Sequence, residues 1–293
     1  MEPCGLIFAR SLSGGPAYTI APRRDQIYGD VCADDRLALA GRHLFWVSTF
    51  GAHTTHRRLD NALIGAATSQ ILADHETDCS GGSFVDNTAG DAGTFAYTWG
   101  TYAIDCDNGD EIGRETAHLS VFRNGRLTQF RLRSLPGFIA VAAGHVATGE
   151  ARETAVPRVF ETEIVVYTPV GRVVRRLKES GSPRGFGMSA RWIATVMSSG
   201  RARQLRVFDA RSGAIAATAE LPTRSSRFQV AVSGTHAVVA TGRTVWTLDI
   251  ARKSLTLLRE RPYIVRGLSI EGRRVAWGER VGTRGRVVSA LLG

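Results

Sequence analysis

Several acidic residues lie close together in the segment IDCDNGDEIG, and clustered carboxylates are ligands that Ca²⁺ prefers in proteins. Asp105, Asp107 and Asp110 would supply oxygens to an ion that takes about six to eight of them. Gly109 stands at the fifth position, where an EF-hand loop has an oxygen ligand. The segment therefore predicts a structural calcium site outside the EF-hand class. The alternative is a solvated acidic turn, and no other cofactor is predicted.

A second group of residues is similar to the surroundings of a nucleophilic serine. The run Cys79-Ser80-Gly81-Gly82 follows His75 and Asp78. Serine, histidine and aspartate form a catalytic triad only when the fold brings them into contact. Since cysteine stands before Ser80 where the trypsin-like pattern has aspartate, and no matching histidine motif precedes it, the sequence predicts no catalytic residue.

Arginine is the dominant cation, and it is concentrated in the C-terminal part of the chain. Residues 1–120 hold 8 Arg and 16 acidic residues, whereas residues 121–293 hold 29 basic and 11 acidic residues. Such an uneven field attracts anionic partners and makes their binding depend on salt. The candidate polyanion-binding residues are Arg175, Arg176, Arg201, Arg203, Arg273 and Arg274. The alternative is that these arginines are solvated on outer strands.

Two tryptophans lie near these basic runs. Trp192 and Trp277 stand inside apolar strand patterns, so they are predicted to be core residues and not platforms for base stacking. Nucleic acid is therefore disfavoured as a partner, and a protein or another anionic partner is favoured.

The cysteines are Cys4, Cys32, Cys79 and Cys106, and none belongs to a Cys-x-x-Cys pair. Zinc-ribbon and thioredoxin-type motifs are thus excluded. An even number of cysteines in one region predicts two disulfides, for example Cys4–Cys32 with Cys79–Cys106, but sequence does not choose among the possible pairings. The alternative is four buried free thiols, which behave as small apolar residues.

The location follows from the cysteines and the amino terminus together. Disulfides persist in oxidising compartments, which predicts an extracytoplasmic or secreted protein. Residues 1–5 carry no basic region and no long apolar core, so they do not form an intact signal peptide. Either the chain is cytoplasmic or the recorded start lies downstream of a leader. No apolar run approaches the roughly 18–20 residues of a membrane span, so no transmembrane segment is predicted.

Short strands and tight turns recur along the chain and must position these residues. The first kind of hairpin is an apolar strand, a turn at Gly or Ala, and a second apolar strand. Its copies are residues 37–47, 84–97, 138–148, 186–195, 228–240 and 264–277. A second hairpin rich in β-branched residues follows most copies, and in residues 118–131 its turn is Asn124-Gly125, the strongest short hairpin signal. Four strands per repeat are typical of a β-propeller blade.

The chain is therefore predicted to be a single all-β domain over residues 1–293, a β-propeller of about six four-stranded blades. The blades are predicted to begin near residues 36, 83, 138, 185, 228 and 264. A β-sandwich is the rival, but it would not repeat the same pair of hairpins. The last unit stops after its third strand, residues 286–292. Residues 1–22 are expected to supply the missing strand and close the ring, which removes exposed edges.

The repeated pattern of apolar strand, Gly turn, Val-Ala strand and Val-Phe-Asp or Val-Tyr strand resembles bacterial TolB-like and tryptophan–aspartate-repeat-like propellers. The resemblance covers nearly the whole chain. The diagnostic Gly-His and Trp-Asp pairs are missing, as is the Asp-box of sialidases. Because functions in these families vary widely, the resemblance implies binding in general and no specific ligand.

The repeat, the clustered cysteines and the lack of a catalytic signature predict a non-enzymatic binding or scaffold propeller, expected to be monomeric. One alternative is a propeller enzyme, a lyase or hydrolase, whose axial-channel site takes one residue from each blade. Another is polyanion or nucleic-acid binding through the basic C-terminal blades.

Overall fold

The computed structural model describes residues 7–10, 17–20, 24–25, 29–30, 32–51, 54–66, 69–78, 80–103, 116–156, 159–281 and 284–293. Among these it describes only the backbone at residues 7–36, 51, 266, 280, 281, 284 and 285. All regular elements of the described residues are β-strands, which confirms the all-β class. None of these residues forms a helix long and apolar enough to cross a membrane. Contacts divide the chain into two compact units, Met1–Leu135 with Pro169–Gly171, and Pro136–Thr168 with Arg172–Gly293.

The first unit is built around one eight-stranded antiparallel sheet in which neighbours in sequence are neighbours in space. Two short pairs precede it, namely β1 (Ile7–Arg10) with β2 (Ala17–Ile20) and β3 (Arg24–Asp25) with β4 (Gly29–Asp30). The strands of the large sheet are β5 (Cys32–Ala40), β6 (His43–Gly51), β7 (Thr55–Leu63), β8 (Gln70–Asp78), β9 (Gly81–Asp91), β10 (Thr94–Ala103), β11 (Thr116–Arg123) and β12 (Arg126–Leu132).

This sheet consists of two four-stranded halves, since β8 and β9 share only the pairs Thr77↔Gly82 and Asp78↔Gly81. Gly81 and Gly82 have positive φ values of 119° and 132°, which a side chain rarely adopts. A Cβ atom on either glycine would also clash with a carbonyl oxygen of a neighbouring strand. The two halves share one apolar core, in which the rings of Phe45 and Phe95 stack at 3.9 Å between centroids.

The second unit contains four antiparallel sheets in chain order, of which the last has three strands. They are β13 (Phe138–Ala142), β14 (His145–Glu153), β15 (Phe160–Tyr167) and β16 (Val173–Ser180); β17 (Ser182–Met188), β18 (Trp192–Ser199), β19 (Ala202–Asp209) and β20 (Ile215–Glu220); β21 (Gln229–Ser233), β22 (His236–Thr241), β23 (Thr244–Asp249) and β24 (Ser254–Glu260); and β25 (Val265–Glu271), β26 (Arg274–Val281) and β27 (Arg284–Leu291). Each of these four sheets begins within three residues of a blade start predicted from the sequence.

Successive sheets of the second unit pack through small and β-branched side chains. Ile164 and Phe186 belong to one shared cluster, and Val207 and Val239 belong to the next. Trp192 and Trp277 are 7% and 2% exposed, which confirms that both are core residues. The Trp192 indole also donates a 2.7 Å hydrogen bond to the Gly234 carbonyl on the following sheet. The blade count and the closure of the ring stay predictions.

Candidate anion-binding groove

A groove with a volume of about 460 Å³ lies along one edge of the sheet β17–β20. The turn between β18 and β19 forms one side, and the linker that follows β20 forms the other. Its lining residues are Arg201, Ala202, Arg203, Glu220, Leu221, Pro222, Thr223 and Arg224. We call this the arginine groove, because three arginines and a single acidic residue line it.

Arg203 holds the two sides of the arginine groove together. Its Nε donates to the Ser225 carbonyl on the linker at 3.0 Å, and its Nη1 donates to the carbonyls of Gly200 and Ala202 at 2.9 Å. The Leu221 amide donates to the Arg203 carbonyl at 2.8 Å, and Leu221 is 3% exposed. The turn and the linker are thus fixed to one another by backbone and side-chain bonds.

Arg201 and Arg224 differ from Arg203 in having no hydrogen-bond or ion-pair partner within the described part of the chain. Both are exposed, on opposite sides of the groove. A guanidinium presents a planar fork of donors that matches carboxylate, phosphate or sulfate oxygens in a bidentate pair. These two side chains can therefore bind an anionic group of a ligand without breaking an internal contact.

A smaller hollow of about 230 Å³ adjoins the groove and shares Ala202 with it. Its lining residues are Ser180, Met197, Ser199, Ala202, Gln204 and Arg206, and we call it the serine hollow. Arg206 forms an ion pair with Glu179, and its Nη2 donates to the Gln204 Oε1 at 2.9 Å. Because its one arginine is already paired with a carboxylate, the serine hollow offers hydroxyl groups to a ligand and little net charge.

The other predicted polyanion-binding residues do not belong to the groove. Arg175 donates to the carbonyls of Arg211 and Ser212, at the opposite end of β19 from Arg203. These bonds connect the outer strand β16 to the next sheet, so the guanidinium has a structural role.

Two of the remaining three also bond within the protein. Arg176 Nη1 donates to Glu163 Oε1 at 3.0 Å across β15 and β16. Arg273 donates to the Leu292 carbonyl at 3.0 and 2.6 Å. Arg274 is exposed at the start of β26. The six predicted residues therefore do not form one patch, and whether each binds a polyanion stays a prediction.

Sequence reasoning did not select Arg224, Ser180 or Ser199. The signal for Arg224 was Pro222, two residues after the end of β20, because proline cannot donate a ladder bond and so prevents the strand from continuing. A linker beginning there must pass the turn that carries Arg201, because both lie at the same end of the sheet. Nothing in the sequence placed Ser180 beside Ser199, since they belong to different sheets.

The most strongly perturbed carboxylate, Glu279, has a structural role. Its side chain is fully buried, and it accepts bonds from Arg261 Nε at 2.5 Å, from Arg286 Nη2 at 2.7 Å and from Trp277 Nε1 at 2.9 Å. The bond from Arg261, with those from Trp277 and Arg286, lowers the pKa of Glu279 to about 2. The carboxylate is ionised and saturated with donors, so it is not available to a ligand.

The structure pairs the residues that suggested a nucleophilic serine differently from a catalytic triad. His75 Nδ1 lies 3.0 Å from Ser83 Oγ. Ser80 instead donates to the Asp78 carboxylate, from its amide at 2.7 Å and its hydroxyl at 2.5 Å. Burial lowers the pKa of His75, which is 7% exposed, so the ring is neutral at pH 7. Sequence reasoning missed Ser83 because the contact depends on the turn between β8 and β9.

The calcium and disulfide predictions fall mainly outside the described residues. This applies to Asp105, Asp107, Asp110, Cys4, Cys79 and Cys106, and for Cys32 only the backbone is described. Within the described ranges, no group of three or more His, Cys, Asp or Glu side chains is placed to hold a metal ion. Both predictions therefore stay predictions.

No protein-family model matches the chain, and the comparison with curated proteins gives no match. Among solved structures, the chain is similar to an acylaminoacyl peptidase of Pyrococcus horikoshii, with 9% identity over 94% of this chain and 54% of that chain and a TM-score of 0.50. An acylaminoacyl peptidase in complex with a chloromethyl ketone gives 9% identity, 88% and 50% coverage, and a TM-score of 0.51. A prolyl endopeptidase gives 13% identity, 87% and 39% coverage, and a TM-score of 0.50.

The chain spans about half the length, or less, of these solved proteins. At this level of identity the likeness shows the fold alone, and that fold is a β-propeller. The likeness does not extend to the TolB-like group in particular. It assigns no activity to this chain, because one fold supports many functions.

Proposed function

We propose that the chain is a non-enzymatic β-propeller that binds an anionic partner in the arginine groove. One observation carries this proposal: Arg201 and Arg224 are exposed and have no partner among the described residues, on two sides of a groove whose third arginine, Arg203, fixes its shape. A site held on strands and a bonded linker loses little conformational entropy on binding. The excess of 29 basic over 11 acidic residues after residue 120 steers anions toward this part of the chain.

The test is binding of heparin and of polyglutamate at several salt concentrations. In the variant Arg201→Glu/Arg224→Glu we expect Kd to rise at least about tenfold at low salt, which corresponds to ~1.4 kcal/mol. The control, Arg243→Glu/Lys253→Glu, makes the same change in net charge at exposed positions outside the groove. We expect it to raise Kd about twofold through the long-range field alone. Equal losses in both variants would show a diffuse attraction and refute a site.

A hydrolase is the second candidate, and the contact between His75 and Ser83 favours it, because a nucleophile activated by a base needs such a bond. Two observations weigh against it. His75 is nine-tenths buried, and its Nε2 has no partner among the described residues, whereas a catalytic base is held by a third group. A fluorophosphonate that labels the protein, but not its Ser83→Ala variant, would establish the hydrolase.

We also propose that the fold has about six blades and that a strand from residues 1–22 closes the ring. The last sheet supports this, since β27 is its third and edge strand and exposes Val287 and Leu291 by 69% and 68%. Such an edge normally pairs or is covered. Deletion of residues 1–22 should therefore lower Tm of the whole domain. An unchanged Tm would refute the closure.

Two disulfides and an extracytoplasmic location remain our proposals from the cysteine pattern. Free-thiol counting under denaturing conditions without reductant tests both. Fewer than four reactive thiols are expected, and four would remove the case for disulfides.

A further inference from the structure

Two neighbouring hollows of different chemistry meet at Ala202. The arginine groove carries positive charge on Arg201 and Arg224, which have no partner in the part of the chain that the structure describes. The serine hollow carries hydroxyl groups on Ser180 and Ser199. A ligand that fills both must therefore place an anionic group beside a stretch of neutral hydrogen-bonding groups.

The serine hollow does not suit a ligand that is charged at every unit. Its arginine, Arg206, is paired with Glu179 and with Gln204, so it has no free charge for a second anion. Ser180 and Ser199 have no side-chain partner within the described residues, and each hydroxyl both donates and accepts. Hydroxyl groups of a ligand are the natural partners for such a pair.

Glu220 adds a second restriction. Its carboxylate lines the arginine groove, where it repels a dense row of negative charges such as a polyphosphate. It tolerates a ligand with isolated anionic groups, and it can accept hydrogen bonds from ligand hydroxyls. Among the described residues no aromatic side chain lines either hollow, so single-stranded nucleic acid would lack the stacking that its binding proteins use.

We infer that the anionic partner is an acidic oligosaccharide, with its sulfate or carboxylate groups on Arg201 and Arg224 and its neutral hydroxyls in the serine hollow. The inference rests on the proposed function of the arginine groove. It adds the chemical class of the anionic ligand. A sugar chain alternates charged groups and hydroxyls at short spacing, as the two adjoining hollows require.

The test measures Kd for four probes: a keratan sulfate hexasaccharide with sulfate on alternate units, a hyaluronan hexasaccharide, polyglutamate of matched charge and an oligothymidylate. The first carries only sulfate and the second only carboxylate, so the two distinguish the favoured anionic group, and binding of either sugar supports the inference. The Ser180→Ala/Ser199→Ala variant should raise Kd for the preferred sugar about three- to tenfold, as loss of neutral hydrogen bonds does. Its Kd for polyglutamate should change less than about twofold, because charge governs that contact.

The matched control is Ser254→Ala/Ser289→Ala, which removes two exposed hydroxyls outside both hollows and should leave all four Kd values unchanged. An unchanged sugar Kd in Ser180→Ala/Ser199→Ala would overturn the inference, as would tighter binding of polyglutamate or oligothymidylate than of either sugar. The proposed function would survive those results if Arg201→Glu/Arg224→Glu still weakened the anion that binds. It would fall if that arginine variant left every probe unaffected or weakened binding no more than its charge-matched control does.

Discussion

Asp60 in the first unit and Glu279 in the second are both fully buried carboxylates paired with arginine, yet their pKa values move in opposite directions. Burial raises the pKa of Asp60, and the hydrogen bond from Ser48 with the charge of Arg58 offsets only part of that rise. The bond from Arg261 leads the effects that lower the pKa of Glu279 to about 2.

The difference lies in the donors that each carboxylate receives. Asp60 accepts from one hydroxyl and one guanidinium, and Arg58 is 3% exposed, so both members of this pair lose water. Glu279 accepts from two guanidinium groups and an indole, and Arg261 and Arg286 remain 24% and 46% exposed. The pKa of a buried carboxylate therefore falls when enough charged donors offset its burial and rises when they do not.

The largest expected effect comes from neutralising these two carboxylates. Glu279→Gln leaves two arginines without their shared anion, and we expect it to lower the free energy of unfolding by roughly 2–3 kcal/mol. Asp60→Asn removes the anion that faces Arg58, whose charge is buried at 3% exposure, so we expect a larger loss of roughly 3–5 kcal/mol. Urea unfolding of both variants measures the difference. A larger loss for Glu279→Gln would break the comparison.

A medium effect is expected at the pair of His75 and Ser83 in the first unit. Ser83→Ala leaves the Nδ1 of a nine-tenths buried ring without its partner, which costs about 1–2 kcal/mol. Ser80→Ala removes an exposed hydroxyl a few residues away and should change the free energy of unfolding by less than about 0.5 kcal/mol. Equal losses in the two variants would show that the histidine contact contributes nothing to stability.

The smallest effect is on the acid limb of the stability curve. The pKa of Glu279 is lowered from 4.5 in the unfolded chain to about 2, so its stabilisation is fully present above pH 4.5 and is lost as pH falls toward 2. The pKa of Asp60 is raised above 3.8, so its protonation favours the native state and stability from this group increases as pH falls toward 3.8. Glu279→Gln should therefore make the free energy of unfolding fall less steeply with decreasing pH, and Asp60→Asn should make it fall more steeply. Unfolding followed from pH 6 to pH 2.5 distinguishes these signs.

The hairpins could be predicted because their signals are local. Asn124 and Gly125 have φ values of 51° and 74°, as their turn requires, and the side chains of β12 alternate in burial from Leu127 onward. The pairing of β8 with β9, which joins two four-stranded halves into one eight-stranded sheet, could not be predicted, since it depends on only two residue pairs.

Only part of the candidate site could be predicted from the sequence. Arg201 and Arg203 were selected from their charge, but Arg224 approaches them through a linker whose course depends on bonds from Arg203. The structural role of Arg175 depends on carbonyls about 36 residues away on the next sheet. Contacts between sheets follow from packing geometry, which a strand pattern does not contain.

The most direct test of the central claim is hydrogen–deuterium exchange with and without a heparin hexasaccharide. The account predicts that bound ligand slows exchange of amides at residues 199–204 and 220–226, on the two sides of the arginine groove. Protection confined to residues 172–176 and 272–274, where Arg175, Arg176, Arg273 and Arg274 lie, would place the anion elsewhere and contradict it.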